Sequence, residues 1–263
     1  MSFQASCIAL VDAQPTAAPE ALTPHAVAEL VAALCSTERK ECVGAAERVS
    51  AACEPSGRHG GSQSKAALGE AGAAEPLVRL LRADGGAEDG TWRAAARACH
   101  ALAFKDDGGA NKERLATAGA VAPLARALAE GDDPTKNIAC DALTALAYRN
   151  ALNKQAVAKT AAPALVALLT GGDREGKANA AGALRMLLYG AGSEGNQALF
   201  VSHGATDAAM ALLMGGGARG HQSAKDVTYL LGVCRIATVC CGRRCVCSCW
   251  HPDHAHDEPA KIL

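Results

Sequence analysis

The sequence predicts an all-α fold, a right-handed α-solenoid of about five three-helix repeats with the first incomplete, and three observations carry that prediction. The first is that related strings return along the chain. Ala71-Gly-Ala-Ala-Glu-Pro-Leu-Val-Arg-Leu-Leu-Arg82 is followed by Ala118-Gly-Ala-Val-Ala-Pro-Leu-Ala-Arg-Ala-Leu128, Thr160-Ala-Ala-Pro-Ala-Leu-Val-Ala-Leu-Leu169 and His203-Gly-Ala-Thr-Asp-Ala-Ala-Met-Ala-Leu-Leu213, with a fainter version at Pro24–Leu34. The second is the period: the closing leucines Leu34, Leu81, Leu128, Leu169 and Leu213 lie 47, 47, 41 and 44 residues apart, the range of helical solenoid repeats. The third is composition. Hydrophobic residues make up 49% of the chain but aromatics only 3%, so the core must be built from Ala and Leu, which suits closely packed helices.

Taken in order, residues 1–22 contain Pro15 and Pro19 without a sustained apolar period and read as a flexible tail. The solenoid is expected over 23–232, and 233–263 forms a Cys/His-rich tail expected to be disordered. Each clear unit opens with a short helix beginning at Ser64, Asn111, Asn153 or Asn196, residue types favoured as N-caps because their oxygen accepts an otherwise unpaired backbone N–H. Gly72, Gly119 and Gly204 fall where that helix would exit through a left-handed residue; Ala161 stands at the matching place in one unit. Pro76, Pro123 and Pro163 then start a second helix, where a missing N–H costs nothing. Leu77/Leu80/Leu81, Leu124/Leu128 and Leu165/Leu168/Leu169 follow on one face. Acid- and Gly-rich links lead to a long third helix, with copies at 41–53, 91–104, 135–148, 177–189 and 221 to about 231.

This order of helices resembles the armadillo repeat family, most closely at Asn179-Ala-Ala-Gly-Ala-Leu-Arg-Met-Leu-Leu188 and at the Gly204-Ala turn, over roughly residues 24–232. A HEAT-type array is the alternative. The resemblance implies that the third helices line a concave groove. Aligned copies then place Val43/Glu47/Ala51, Arg93/Arg97/Ala101, Asn137/Asp141/Ala145, Ala178/Gly182/Met186 and His221/Lys225/Tyr229 toward it. Importin-like members grip basic peptides with Trp and Asn at the middle and last of these positions. Here the middle positions are Glu47, Arg97, Asp141, Gly182 and Lys225, so that ladder is absent. Trp92, beside Arg93, reads either as a core plug or as a partner-facing anchor.

Other function classes find little support. A formal net charge of −1 offers no field for nucleic acid or an anionic membrane, and no apolar run is long enough to span a bilayer. Without a signal-peptide pattern at the start, a cytoplasmic or nuclear setting is expected. Cys35, Cys53, Cys99 and Cys140 read as reduced core residues. Gly171-Gly-Asp-Arg-Glu-Gly-Lys-Ala178 nearly spells a phosphate-binding loop but ends in Ala where Ser or Thr is needed, and it follows a helical run. Gly215-Gly-Gly-Ala-Arg-Gly220 matches a dinucleotide string by letter, again with no strand before it. Isolated His25, His59, His100 and His203 have no ligand spacing, and nothing suggests an enzyme or a cofactor.

The tail carries Cys234, Cys240, Cys241, Cys245, Cys247, Cys249, His251, His254 and His256, but no paired Cys-x-x-Cys knuckles. A zinc-binding module competes there with a disordered tail, adventitious metal binding, or a non-native end, and no metal site is assigned. The expected function is a non-catalytic scaffold or adaptor that binds a protein or peptide, of acidic or mixed charge. Trp92, Arg93, Arg97, Asn137, Asp141, Met186, His221, Lys225 and Tyr229 are its candidate contacts. The alternative is the substrate-recognition fragment of a ubiquitin ligase lacking its U-box. Because the first unit lacks its opening helix, self-association through uncapped ends is a further expectation.

Overall fold

The computed structural model describes residues 22–54, 61–106, 108–214, 225, 227, 228 and 231. Among them the chain forms twelve α-helices and no strand: α1 (Pro24–Leu34), α2 (Arg39–Cys53), α3 (Gly61–Glu70), α4 (Ala74–Arg82), α5 (Thr91–Ala103), α6 (Ala110–Thr117), α7 (Val121–Glu130), α8 (Asp133–Ala147), α9 (Ala151–Gly171), α10 (Arg174–Leu188), α11 (Asn196–Ser202) and α12 (Ala205–Met214). They stack as an α-solenoid. The long third helices α2, α5, α8 and α10 pack one on the next, while α4, α7 and α9 form a second row behind them. Leu34, Leu81, Leu128 and Leu169, the periodic leucines, are all buried between the rows, among Ala95, Ala96, Ala139 and Ala180. Small residues let helix axes approach closely, so that an aromatic-poor chain still fills its core.

The short helices turn where the sequence expects. Gly72, Gly119 and Gly204 sit at φ of +84°, +82° and +82°, a conformation that Gly adopts without clash. The fourth unit differs. Ala161 and Ala162 offer no left-handed exit, so the first and second helices run together as the 21-residue α9, with Pro163 inside it rather than starting a helix. Pro163 removes one N–H from that helix, and burial of Val157, Leu165 and Leu168 on either side anchors the segment across the fault.

The N-cap reading of the short helices is corrected. Asn111, Asn153 and Asn196 lie inside their helices and are buried. Each Nδ2 reaches back to a carbonyl in the last turn of the preceding third helix: Leu102 at 3.5 Å, Leu146 at 3.1 Å and Leu187 at 2.8 Å. Asn111 and Asn153 also donate to Lys65 and Lys112 carbonyls of the previous short helix, at 2.9 and 3.4 Å. Ser64 is buried too, its Oγ accepting the Leu22 N–H. The side chains that do cap helices are Thr23, Asp132, Asn150 and Asp173.

Beside Ser64, Asn111 and Asn153 stands a buried lysine with a matching task, whereas Gln197 follows Asn196. Lys65, Lys112 and Lys154 donate to the carbonyls of Phe104, Tyr148 and Tyr189, which end the third helix of the same unit, at 2.7, 3.3 and 2.6 Å. Charge-assisted bonds onto a helix C-terminus satisfy carbonyls that lack partners and meet the negative end of the helix dipole.

Four of the five described cysteines are buried, and burial pushes the Cys53 and Cys99 thiols up to about 12, which leaves them as unreactive core residues. Cys35 is the exception. It ends α1 and is exposed, because only the Leu34 side of that turn meets the core.

Replacing Asn111 by Ala should lower unfolding stability in denaturant titrations by about 1–3 kcal/mol, since two buried carbonyls lose their donor. Asn150→Ala removes only an N-cap and should cost about 1 kcal/mol. Equal costs would show that the buried asparagines do not hold the units in register.

Candidate functional site

The third-helix face is assembled by capping chemistry. Asp132 and Asp173 accept the Thr135 and Gly176 N–H groups at the starts of α8 and α10, at 2.9 and 2.6 Å. Each of these acids also meets a side chain from the preceding third helix. Arg93 Nη1 lies 3.6 Å from Asp132, and Asn137 Nδ2 donates to Asp173 at 3.4 Å. The same arrangement recurs upstream, where Arg39 pairs with Asp89 at 2.9 Å and Asp89 accepts the Thr91 N–H. The Thr135 hydrogen bond, with Arg93 adding to it, holds the Asp132 carboxyl below its ordinary range. Arg93 and Asn137 are therefore rungs between units, and Arg93 brings no uncompensated charge.

Trp92 takes the core alternative, which corrects its assignment as a partner contact. It is 4% exposed; its Nε1 donates to the Ala83 carbonyl at 3.0 Å, and the Arg126 guanidinium lies 4.6 Å from its ring centre. Its place at the start of α5 turns the indole inward against the end of α4, where a ring with one N–H closes the gap and satisfies a carbonyl.

The remaining residues differ from unit to unit. Arg97 is exposed in the middle of α5 and makes no hydrogen bond or ion pair among the described residues. Asp141, at the same position of α8, is half-buried and likewise unpaired among them. Burial, with the Glu175 carboxylate of α10 adding to it, pushes the Asp141 carboxyl up to about 6. At the next middle position Gly182 opens a notch: a Cβ added there would meet nothing within 4 Å. Ala178 and Met186 flank it on α10, both partly exposed, and Lys225 is partly exposed farther on. His221 and Tyr229 lie outside the described residues. This face thus presents a cation, an acid of lifted pKa and a small-residue notch on three successive helices, α5, α8 and α10.

Two clefts lie elsewhere. One of about 630 Å³ sits between α7 and α9, and one of about 460 Å³ lies among α3, α4 and α6. The first also takes in Asp133 and Lys136 from the start of α8, and the second is lined by no residue of a third helix. No group of three or more metal-ligating side chains occurs among the described residues, and the Cys/His tail lies outside them. The near phosphate loop at 171–178 spans the last residue of α9, the two-residue link Gly172-Asp173 and the start of α10, with Asp173 turned onto the helix start that a phosphate would need.

Sequence reasoning missed the buried Lys65, Lys112 and Lys154. The signal was present as the repeated Ser-Lys, Asn-Lys and Asn-Lys pairs, but a lysine in that place reads as solvated until the helix end behind it is known.

No protein-family model matches the chain, and no curated protein matches it. Solved structures do. A computationally designed armadillo repeat protein for modular peptide recognition superposes with a TM-score of 0.68 at 22% identity, covering 78% of this chain and 82% of that one. A designed armadillo repeat protein in complex with the peptide (KR)4 gives 0.65 at 23% identity, over 79% and 82%. The armadillo-repeats-only protein of Plasmodium falciparum gives 0.66 at 14% identity, over 79% and 92%. The chain has the armadillo-type repeat fold.

The lifted Asp141 carboxyl makes a signed prediction. A group that binds its proton more tightly when folded favours the fold at pH below about 4, and that contribution is lost as pH rises through about 6. Relative to wild type, Asp141→Asn should therefore gain on the order of 1–2 kcal/mol between pH 4 and pH 7, solvent screening included. Denaturant titrations at the two pH values measure it, and a difference that does not change with pH would remove the argument.

Proposed function

We propose that this armadillo-type array is a non-catalytic scaffold or adaptor that holds an extended protein segment along its third-helix groove, with Arg97, Asp141, Met186 and Lys225 as contacts. The observation that carries the proposal is the change in character at one repeated position. Glu47, Arg97, Asp141, Gly182 and Lys225 vary, while the residues that pack the helices stay Ala and Leu. Packing accounts for the constant positions and leaves the variable ones to a partner. The peptide-recognising designs of the same fold support a peptide ligand as a class.

With Arg93 neutralised by Asp132, the exposed cation of α5 is Arg97, and the half-buried acid one helix along is Asp141. A segment of mixed charge, an acidic side chain at α5 and a donor at α8, meets both. A bulky apolar or aromatic side chain fits over Gly182. Charge complementarity of this kind sets register and selects partners more than it adds raw affinity.

Gly182→Phe tests the groove without attacking the core, because open space lies above Gly182 and Gly is the weaker helix former. Its unfolding stability should equal or exceed that of wild type, while partners recovered with wild-type protein by affinity capture are lost. Arg97→Glu should lose the same partners. Full retention by both folded variants would exclude the third-helix groove.

A further inference from the structure

Behind the groove, two arginines tie the second helices together. Arg79 Nη2 on α4 donates to the Leu34 carbonyl at the end of α1 at 2.9 Å, and Arg126 Nη2 on α7 donates to the Leu81 carbonyl near the end of α4 at 3.1 Å. Both acceptors are the closing leucines of the preceding unit, whose carbonyls lie in a last helical turn with no N–H of their own helix to meet. Both donors stand two residues before the closing leucine of their own unit. The next place in that series, two residues before Leu169, is Ala167. It has no donor to offer, and its methyl group is exposed.

The acceptor due at this step is Leu128, and both Leu128 and Ala167 line the cleft of about 630 Å³ between α7 and α9. Pro163 and Ala164 give that cleft an apolar wall, while Glu130 and Asp133 bring two carboxylates to it. Arg126 and Lys136 also line it. The Arg126 guanidinium is committed to Leu81 and Trp92, which leaves Lys136 facing the two acids.

We propose that this cleft binds an arginine side chain of a partner protein, whose guanidinium takes the third place in the series, on the Leu128 carbonyl with the Glu130 carboxylate beside it. The chemistry is that of the array itself. A planar fork of donors can satisfy a helix-end carbonyl and a carboxylate together, and its three-carbon stem lies on Ala and Pro surface. An ammonium is a point donor and matches the pair less well. The site shares no residue with the groove contacts named above, so it stands or falls independently of the function proposed there.

The test is fluorescence polarisation of labelled (Gly-Arg)4 and (Gly-Glu)4 peptides titrated with the full chain. Wild type should bind (Gly-Arg)4 saturably and leave (Gly-Glu)4 free. Ala167→Arg fills the place from within, so it should weaken (Gly-Arg)4 binding at least about tenfold and raise the melting temperature. Should that variant fail to fold, Ala167→Leu closes the cleft with an apolar group and should show the same loss. Asp141→Asn, in the groove, should bind as wild type does. Absence of wild-type binding overturns the proposal. So does retention by a folded Ala167 variant with loss in Asp141→Asn, which would place the peptide in the groove.

Discussion

The end of each third helix is the constraint on which the array depends. A helix leaves its last carbonyls without partners, and in a stack of Ala and Leu those at Leu102, Leu146 and Leu187 are shut away from water. The chain answers with side chains from the short helix that follows, whose asparagine meets the last turn of the third helix before it. The lysine beside it meets the final carbonyl of the third helix in its own unit. A unit is thus polar-linked within itself and to its predecessor. Hydrophobic burial supplies most of the driving force but is indifferent to small slips between Ala surfaces. The directed bonds fix which carbonyl lies opposite which donor.

The same logic explains why buried lysines are tolerated. A buried ammonium without partners is costly, yet three donors aimed at helix-end carbonyls meet both charge and geometry. For Lys154, burial lowers the pKa and the Glu194 carboxylate works against that lowering. At the opposite edge of the stack the roles reverse. Asp132 and Asp173 cap helix starts, where negative charge is favoured, and tie back to Arg93 and Asn137 of the unit before. The row of third helices runs between acid-capped helix starts and lysine-capped helix ends.

How much of this was legible depends on whether local chemistry had one solution or two. The leucine period and the glycine turns have one, and Gly72, Gly119 and Gly204 stand in the expected conformation. At Ala161 the absence of Gly was visible, but Pro163 was still read as a helix start, and α9 runs through both. Asn at the start of a short helix has two solutions, because an amide that can cap its own helix can equally reach a neighbouring one. Only the three-dimensional path decides that Asn150 caps and Asn153 crosses. Trp92 was misread, and the ion pair of Arg93 not foreseen, for a related reason. Their partners, Asp132 and the Ala83 carbonyl, are distant or hidden in sequence, and an alignment of third helices does not contain them.

A repeat array also separates architecture from recognition by its own internal comparison. Where every unit keeps a residue, the stack needs it; where one unit departs, the structure shows whether packing compensates. At Ala161 it does, because the helix continues and Val157 and Leu165 stay buried. At Gly182 nothing fills the space that a side chain would occupy, and at Ala167 the donor supplied twice before is not replaced by another residue of α9. Uncompensated departures leave surface features whose shape the fold itself does not require. Two such departures lie on different helices, Gly182 on α10 and Ala167 on α9, so one array has room for two separate contacts.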